Sequence, residues 1–462
     1  MALPEQGPHR LDYGGVRRVT GALALAVLTI VLFGSFYCNF WGIADDRWFL
    51  THQHDTESLV IGRLVKSRQD GLFSAGGFLG AGIEADLSAT WIYPDQIEAQ
   101  YRAYRAGGQF EVFSPYLSQP GGQGVILGIL DRVLPLTPPA RLEVFYALLA
   151  LLCALVFAVL VGWFAYEAGA ITAGAVACSV ILSQWITVFA RNLWWNLWVF
   201  YLPMMAVGAV LIRRRGRRPD TRTAVAVGLA AGIGTLLKYA FTGFEFVTTF
   251  VVMAFVPIVY EAVRERWTLR EMMRVAAIWC AAVAVSVGVA LLLLAAQIGV
   301  LRDGLSAGFD HIVSVLAKRS YGSTAEQPAL YAPALQASVG EVLGRYISGN
   351  YFAVKWSQWG RDGSGWWSGI RLSYGWLIGV FAVSSAAAVA LIRREPETRR
   401  RSGAALVAAT WFSLLAPLSW FVVFKAHSFV HVHVNFIVWQ MPFTLFGFAV
   451  VGWLVRAVLM RR

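Results

Sequence analysis

The chain has 462 residues, 57% of them hydrophobic and only 14% charged, with a formal net charge of +12. A soluble domain carries nearer a quarter of charged residues, so the composition excludes an ordinary soluble enzyme and reads as an integral membrane protein. The basic surplus lies beside apolar segments, where membrane orientation and anionic headgroups explain it and a nucleic-acid partner does not.

Residues 19–44 carry no charge. The run is too long for a signal-peptide core and has no small-x-small cleavage site after it, so it reads as a retained first span. Arg10, Arg17 and Arg18 before it hold the N-terminus in the cytoplasm. A span needs about 20 mostly apolar residues, and uncharged runs of that size lie at about 19–41, 144–165, 169–190, 192–212, 275–300, 372–392, 402–424 and 434–455. Residues 223–238, short and closing on Lys238, and 239–260, apolar except for Glu245, add a hairpin. The expectation is an all-α polytopic fold of about ten spans forming one transmembrane domain. The four cysteines (Cys38, Cys153, Cys178 and Cys280) fall in apolar segments and read as small buried residues.

With a cytoplasmic start, the basic clusters at 213–218, 264–274, 393–401 and 456–462 all fall on the cytoplasmic side, as the positive-inside bias requires. The opposite side receives two large segments, 42–142 and 301–371, and three short turns, around Arg191, at Lys238-Tyr239 and at 425–433. The first large segment has amphipathic pieces at 59–66 and 124–134, a pattern of helices lying in the headgroup plane. The second holds Trp356, Trp359, Trp366 and Trp367, matching an interfacial aromatic belt. These features point to a multi-pass membrane protein with its two large segments on the extracytoplasmic face.

Ionisable residues concentrate in four places. Residues 48–63 bring His52, His54, Asp55 and Glu57 to the start of a short helix just outside the first span, with Asp45 and Asp46 before it. A solvated acidic loop is the plain reading, whereas a partly dehydrated carboxylate at a membrane surface acquires a raised pKa suited to a general base. Lys238, Tyr239 and Glu245 lie near one end of the weak hairpin, as an ion pair or as an anion contact, because a charge at the bilayer centre is costly. Lys425, His427, His431 and His433 gather between the last two spans. His427 and His431 are spaced to share a helix face, which suits an anion or sugar-phosphate contact better than a metal, since zinc needs three or four oriented ligands. Arg191 heads an aromatic interfacial turn. No P-loop, G-x-S-x-G or dinucleotide fingerprint stands in context.

Assembled, these residues resemble the GT-C superfamily of membrane glycosyltransferases. The resemblance rests on the span layout and on residues 55–71, 118–124, Lys238-Tyr239 through Glu245, and Lys425 through Asn435. Many members show adjacent Asp-Glu in the first loop, where this chain has Asp55-Thr56-Glu57 or Asp45-Asp46. The resemblance implies a polyprenyl-phosphate-linked sugar as donor, a lipid or glycan acceptor, and Asp55 or Glu57 as catalytic base. It further implies a substrate or phosphate contact formed by His54, Lys238, Tyr239, Glu245, Lys425, His427, His431, His433 and Arg191. The superfamily contains both metal-dependent and metal-independent members, so a divalent cation stays open and no metal ligand is assigned. A membrane acyltransferase with a histidine base and a secondary transporter are the alternatives.

Overall fold

A computed structural model describes residues 13–83, 95–327, 329–353 and 371–460. The four tryptophans expected in an aromatic belt lie outside the described residues. Among these residues seven helices are long and apolar enough to cross a membrane: Thr20–Cys38, Pro138–Ala168, Thr221–Thr242, Val247–Arg264, Leu269–Leu301, Tyr374–Ile392 and Glu397–Val423. Two bent pairs, Ala170–Ile181 with Gln184–Ala190 and Val432–Gln440 with Phe443–Leu459, raise the count to as many as nine. A shorter apolar helix, Leu197–Arg213, occupies the remaining expected segment.

Two of the expected segments are therefore bent helix pairs rather than straight helices. The first bends by 67° because the chain restarts at Ser183, whose hydroxyl accepts from the Ile186 amide at 3.2 Å and caps a new helix. The second bends by 43° ahead of Phe443–Leu459, where Pro442 has no amide to continue the ladder.

The basic clusters meet at one end of the bundle. Arg218 pairs with Glu271 at 3.1 Å, Arg266 with Glu397 at 2.9 Å, and Arg399 reaches the Met460 sulfur at 3.9 Å. Thr221–Thr242 starts at this end, and its 22 residues rise about 33 Å. It delivers Lys238 and Gly243 to the far end, where Gly243 abuts Gln119 of the first large segment.

That segment is more than a set of interfacial helices. Helices His54–Asp70, Asp95–Ala106 and Gly122–Val133 pack around a two-stranded antiparallel sheet, Gly80–Ile83 against Val112–Pro115. The 59–66 stretch, expected to lie half-buried in the headgroup plane, is enclosed. Val60, Ile61 and Leu64 are fully buried, and so is Arg63 on another face, donating to Ser67, Ser74 and the Gly71 carbonyl. Gly62 permits this, since a Cβ there would lie 2.3 Å from the Gly80 carbonyl oxygen.

Asp131 clasps the segment together. Its buried carboxylate accepts from Arg68 at 2.5 and 2.7 Å, from the Tyr104 hydroxyl at 2.7 Å and from Arg141 at 3.4 Å. Removing one partner from a buried ion pair leaves uncompensated charge, at a cost of about 3–5 kcal/mol. Asp131→Ala is expected to lower the thermal unfolding temperature of the detergent-purified protein by several degrees. An unchanged midpoint would contradict the clasp.

Candidate functional site

The π-helical turn Phe49–Gln53 runs into His54–Asp70. A helix turns about 100° per residue, so Asp55 and Glu57 face nearly opposite ways. Glu57 points inward and is fully buried. One oxygen accepts from Gln53 at 2.9 Å and from the Leu193 amide at 2.8 Å. The other accepts from the Tyr146 hydroxyl at 2.9 Å and the Tyr101 hydroxyl at 3.3 Å. Burial pushes its pKa up to about 7, against the pull of these donors and of Arg191. Arg191 serves the same post: it donates to the Tyr37 carbonyl at 2.7 Å, contacts Gln53 at 3.4 Å and lies over the Phe49 ring.

Asp55 is half-buried and faces the other way, toward His52. Burial raises its pKa and the nearby His52 lowers it, with burial the larger effect. From His52 an aromatic file crosses to the last turn. His52 stacks on His433 with ring centres 4.4 Å apart, His433 lies 5.9 Å from His431, and His431 lies 4.6 Å from His427. Trp48 packs on His52 and flanks His433.

His427 is held by Asn435. The Trp420 indole N–H, a donor only, binds the Asn435 carbonyl oxygen at 3.0 Å, which turns the amide nitrogen of Asn435 toward His427 Nδ1 at 3.4 Å. His427 Nε2 lies 3.9 Å from Glu245 Oε2. The other Glu245 oxygen binds Arg319 at 2.6 Å, and Arg319 binds the Tyr116 hydroxyl at 2.9 Å. Burial lowers the pKa values of His427 and His431, and the Arg319 charge adds to it. Burial alone would lower Arg319, but Glu245 and Tyr116 hold it above its ordinary value.

The structure thus brings Asp55, Glu245, His427, His431 and His433 into one seam, drawn from three segments far apart in sequence. It separates the other expected members. His54 points away, stacking on Tyr101 and lying 3.7 Å from Glu98. Tyr239 packs against Phe244 and Phe250. The two lysines expected to hold an anion are used by the main chain. Lys238 donates to the carbonyls of Gly243 (2.7 Å) and Glu245, and Lys425 to those of Leu335 (2.6 Å) and Ala337 (2.7 Å). The Lys238–Glu245 contact is with the backbone of Glu245, because the chain reverses there and leaves carbonyls without helical donors.

Sequence reasoning left out His52 as a site member, and it left out Tyr116, Lys318 and Arg319. Lys318 lies in the last turn of the helix Leu305–Arg319, sits over the Tyr331 ring at 4.9 Å and is electrostatically opposed by Arg319. The signal was available: adjacent cations close a stretch with apolar residues at 305, 309, 312, 313 and 316. Among the described residues no group of three or more His, Cys, Asp or Glu side chains is arranged to hold a metal ion.

Comparison with protein-family models, with curated proteins and with solved structures finds no match to this chain. The site must be read from its own geometry.

A carboxyl whose folded pKa exceeds its ordinary 4.5 stabilises the fold fully below that ordinary value. The contribution is lost as pH rises through 7, at about 3 kcal/mol for the full shift. Unfolding stability is therefore expected to fall between pH 4.5 and 7, and Glu57→Gln is expected to flatten that dependence in urea or thermal titrations. Equal slopes in the two proteins would contradict the assignment.

Proposed function

We propose that this chain is a membrane glycosyltransferase. It moves a sugar from a polyprenyl-phosphate donor to a lipid or glycan acceptor, with Asp55 as general base. The reading takes the bundle as ten spans in a bacterial inner membrane, with basic clusters and N-terminus cytoplasmic and the polar seam extracytoplasmic. The observation that carries it is the convergence of a half-buried carboxylate, a histidine file and paired cations at the end opposite the arginine clusters.

The chemistry needs few parts. Asp55 takes the proton of the acceptor hydroxyl as its oxygen bonds to the anomeric carbon. The bond from that carbon to the phosphate oxygen breaks, and the electron pair leaves with the phosphate. Glycoside hydrolysis uses two carboxylates because its leaving group must be protonated. A phosphate departs as an anion and needs cations held where charge develops. Lys318 is the cation for that role, beside His431, while Glu245 fixes Arg319 behind it. Repulsion between Lys318 and Arg319 is relieved when an anion sits against them. Glu57, closed off by four donors, is a structural post, and Asp55 is the base.

Asp55→Asn is expected to cut transfer from a polyprenyl-phosphate sugar in proteoliposomes by about 100-fold or more, with the unfolding midpoint unchanged. Lys318→Ala is expected to raise the KM for the donor more than it lowers kcat. Full transfer by folded Asp55→Asn protein would overturn the proposal.

A further inference from the structure

A second site lies away from the seam, toward the arginine-rich end. A cleft of about 590 Å³ runs between helices Pro138–Ala168, Leu197–Arg213, Thr221–Thr242, Val247–Arg264 and Phe443–Leu459. Its walls are almost wholly apolar, among them Trp163, Met205, Ala209, Ile233, Pro257 and Phe446. Ile233, Leu237 and Ala209 are lining residues that are also exposed. The cleft therefore opens sideways on the apolar flank of the bundle, which the ten-span topology proposed above places in hydrocarbon. Gly208 contributes to its width, facing Pro257 with its missing side chain.

The arginine-rich mouth of the cleft carries the distinguishing chemistry. Glu261 and Tyr260 line it, and nearby carboxylates are neutralised. Glu167 accepts from Arg215 at 2.5 Å and from the Tyr260 hydroxyl at 2.9 Å and forms an ion pair with Arg264 at 3.0 Å, while Glu261 pairs with Arg215. Arg213 and Arg214 follow the lining residue Ile212 directly; both are exposed and form no salt bridge among the described residues. Asp220 stands near Arg214 without engaging it at bonding distance. An apolar chain in the cleft would thus carry its polar end to two exposed cations, past acids already paired.

We propose that this cleft holds one acyl chain of an anionic glycerophospholipid, whose phosphate sits against Arg213 and Arg214. Basic residues beside a span attract anionic headgroups, and here they stand at the mouth of a cleft shaped for a tail. The headgroup lies at the end opposite Asp55, so the occupant is a resident lipid and not the sugar donor. The inference is independent of the transfer chemistry.

The test is native mass spectrometry of the full-length protein in micelles containing equal phosphatidylglycerol, phosphatidylcholine and polyprenyl phosphate. The wild-type chain is expected to retain one phosphatidylglycerol in preference to phosphatidylcholine. The double substitution R213Q/R214Q should lower that preference about tenfold, while Ala209→Trp, or Gly208→Leu if the former fails to fold, should remove the bound lipid. Equal retention of both phospholipids, retention of polyprenyl phosphate instead, or retention indifferent to the substitutions would overturn the proposal.

Discussion

The buried carboxylate of Glu57 is the joint on which the polar end of the molecule depends. Its four donors come from the turn before its own helix, from Asp95–Ala106, from Pro138–Ala168 and from the turn after Arg191. An unpaired carboxylate in this position would be prohibitively costly, so the four elements must keep their relative places. Two residues away and on the opposite helix face, Asp55 is held outward as a consequence. His52, one turn earlier, shares the face of Asp55, and this sets the start of the histidine file.

The same accounting explains the lysines. Where Thr221–Thr242 ends and the chain reverses into Val247–Arg264, carbonyl oxygens lack helical donors, and Phe246 takes a positive φ of 52°. Lys238 reaches back to satisfy those carbonyls and is enclosed by the rings of Phe200 and Phe250. Lys425 performs the equivalent service for the carbonyls of Leu335 and Ala337. A charge placed this way stabilises the turn and is withdrawn from ligand binding. In the proposed reaction the cationic work of the seam falls to Lys318 and Arg319, on a helix that the sequence alone leaves unassigned.

Much of the architecture was legible because bilayer thickness fixes the length of apolar runs. Each expected span coincides with a helix or a bent pair, and the arginine clusters gather at one end as their spacing implied. The breaks at Ser183 and Pro442 were hidden because both lie inside uncharged runs long enough to be read as one span. Within the site, the convergence of Asp55, Glu245 and the three histidines of the last turn was legible from their placement at equivalent ends of spans. The partner of each charge was not, because ion pairing is a matter of contact between distant segments. Glu245 lies seven residues from Lys238, yet its carboxylate answers to Arg319, 74 residues away. His54 and His52 are likewise indistinguishable by composition; only the helical phase set by Glu57 turns one outward to Glu98 and the other into the seam.

The account stands on the seam being the place where a phosphate-linked sugar meets its base. The most direct measurement is a density map of the protein with a polyprenyl-phosphate sugar bound. Phosphate density is expected beside Lys318 and His431, with the sugar between that density and Asp55. A seam that stays empty of phosphate and sugar density at saturating donor would contradict it.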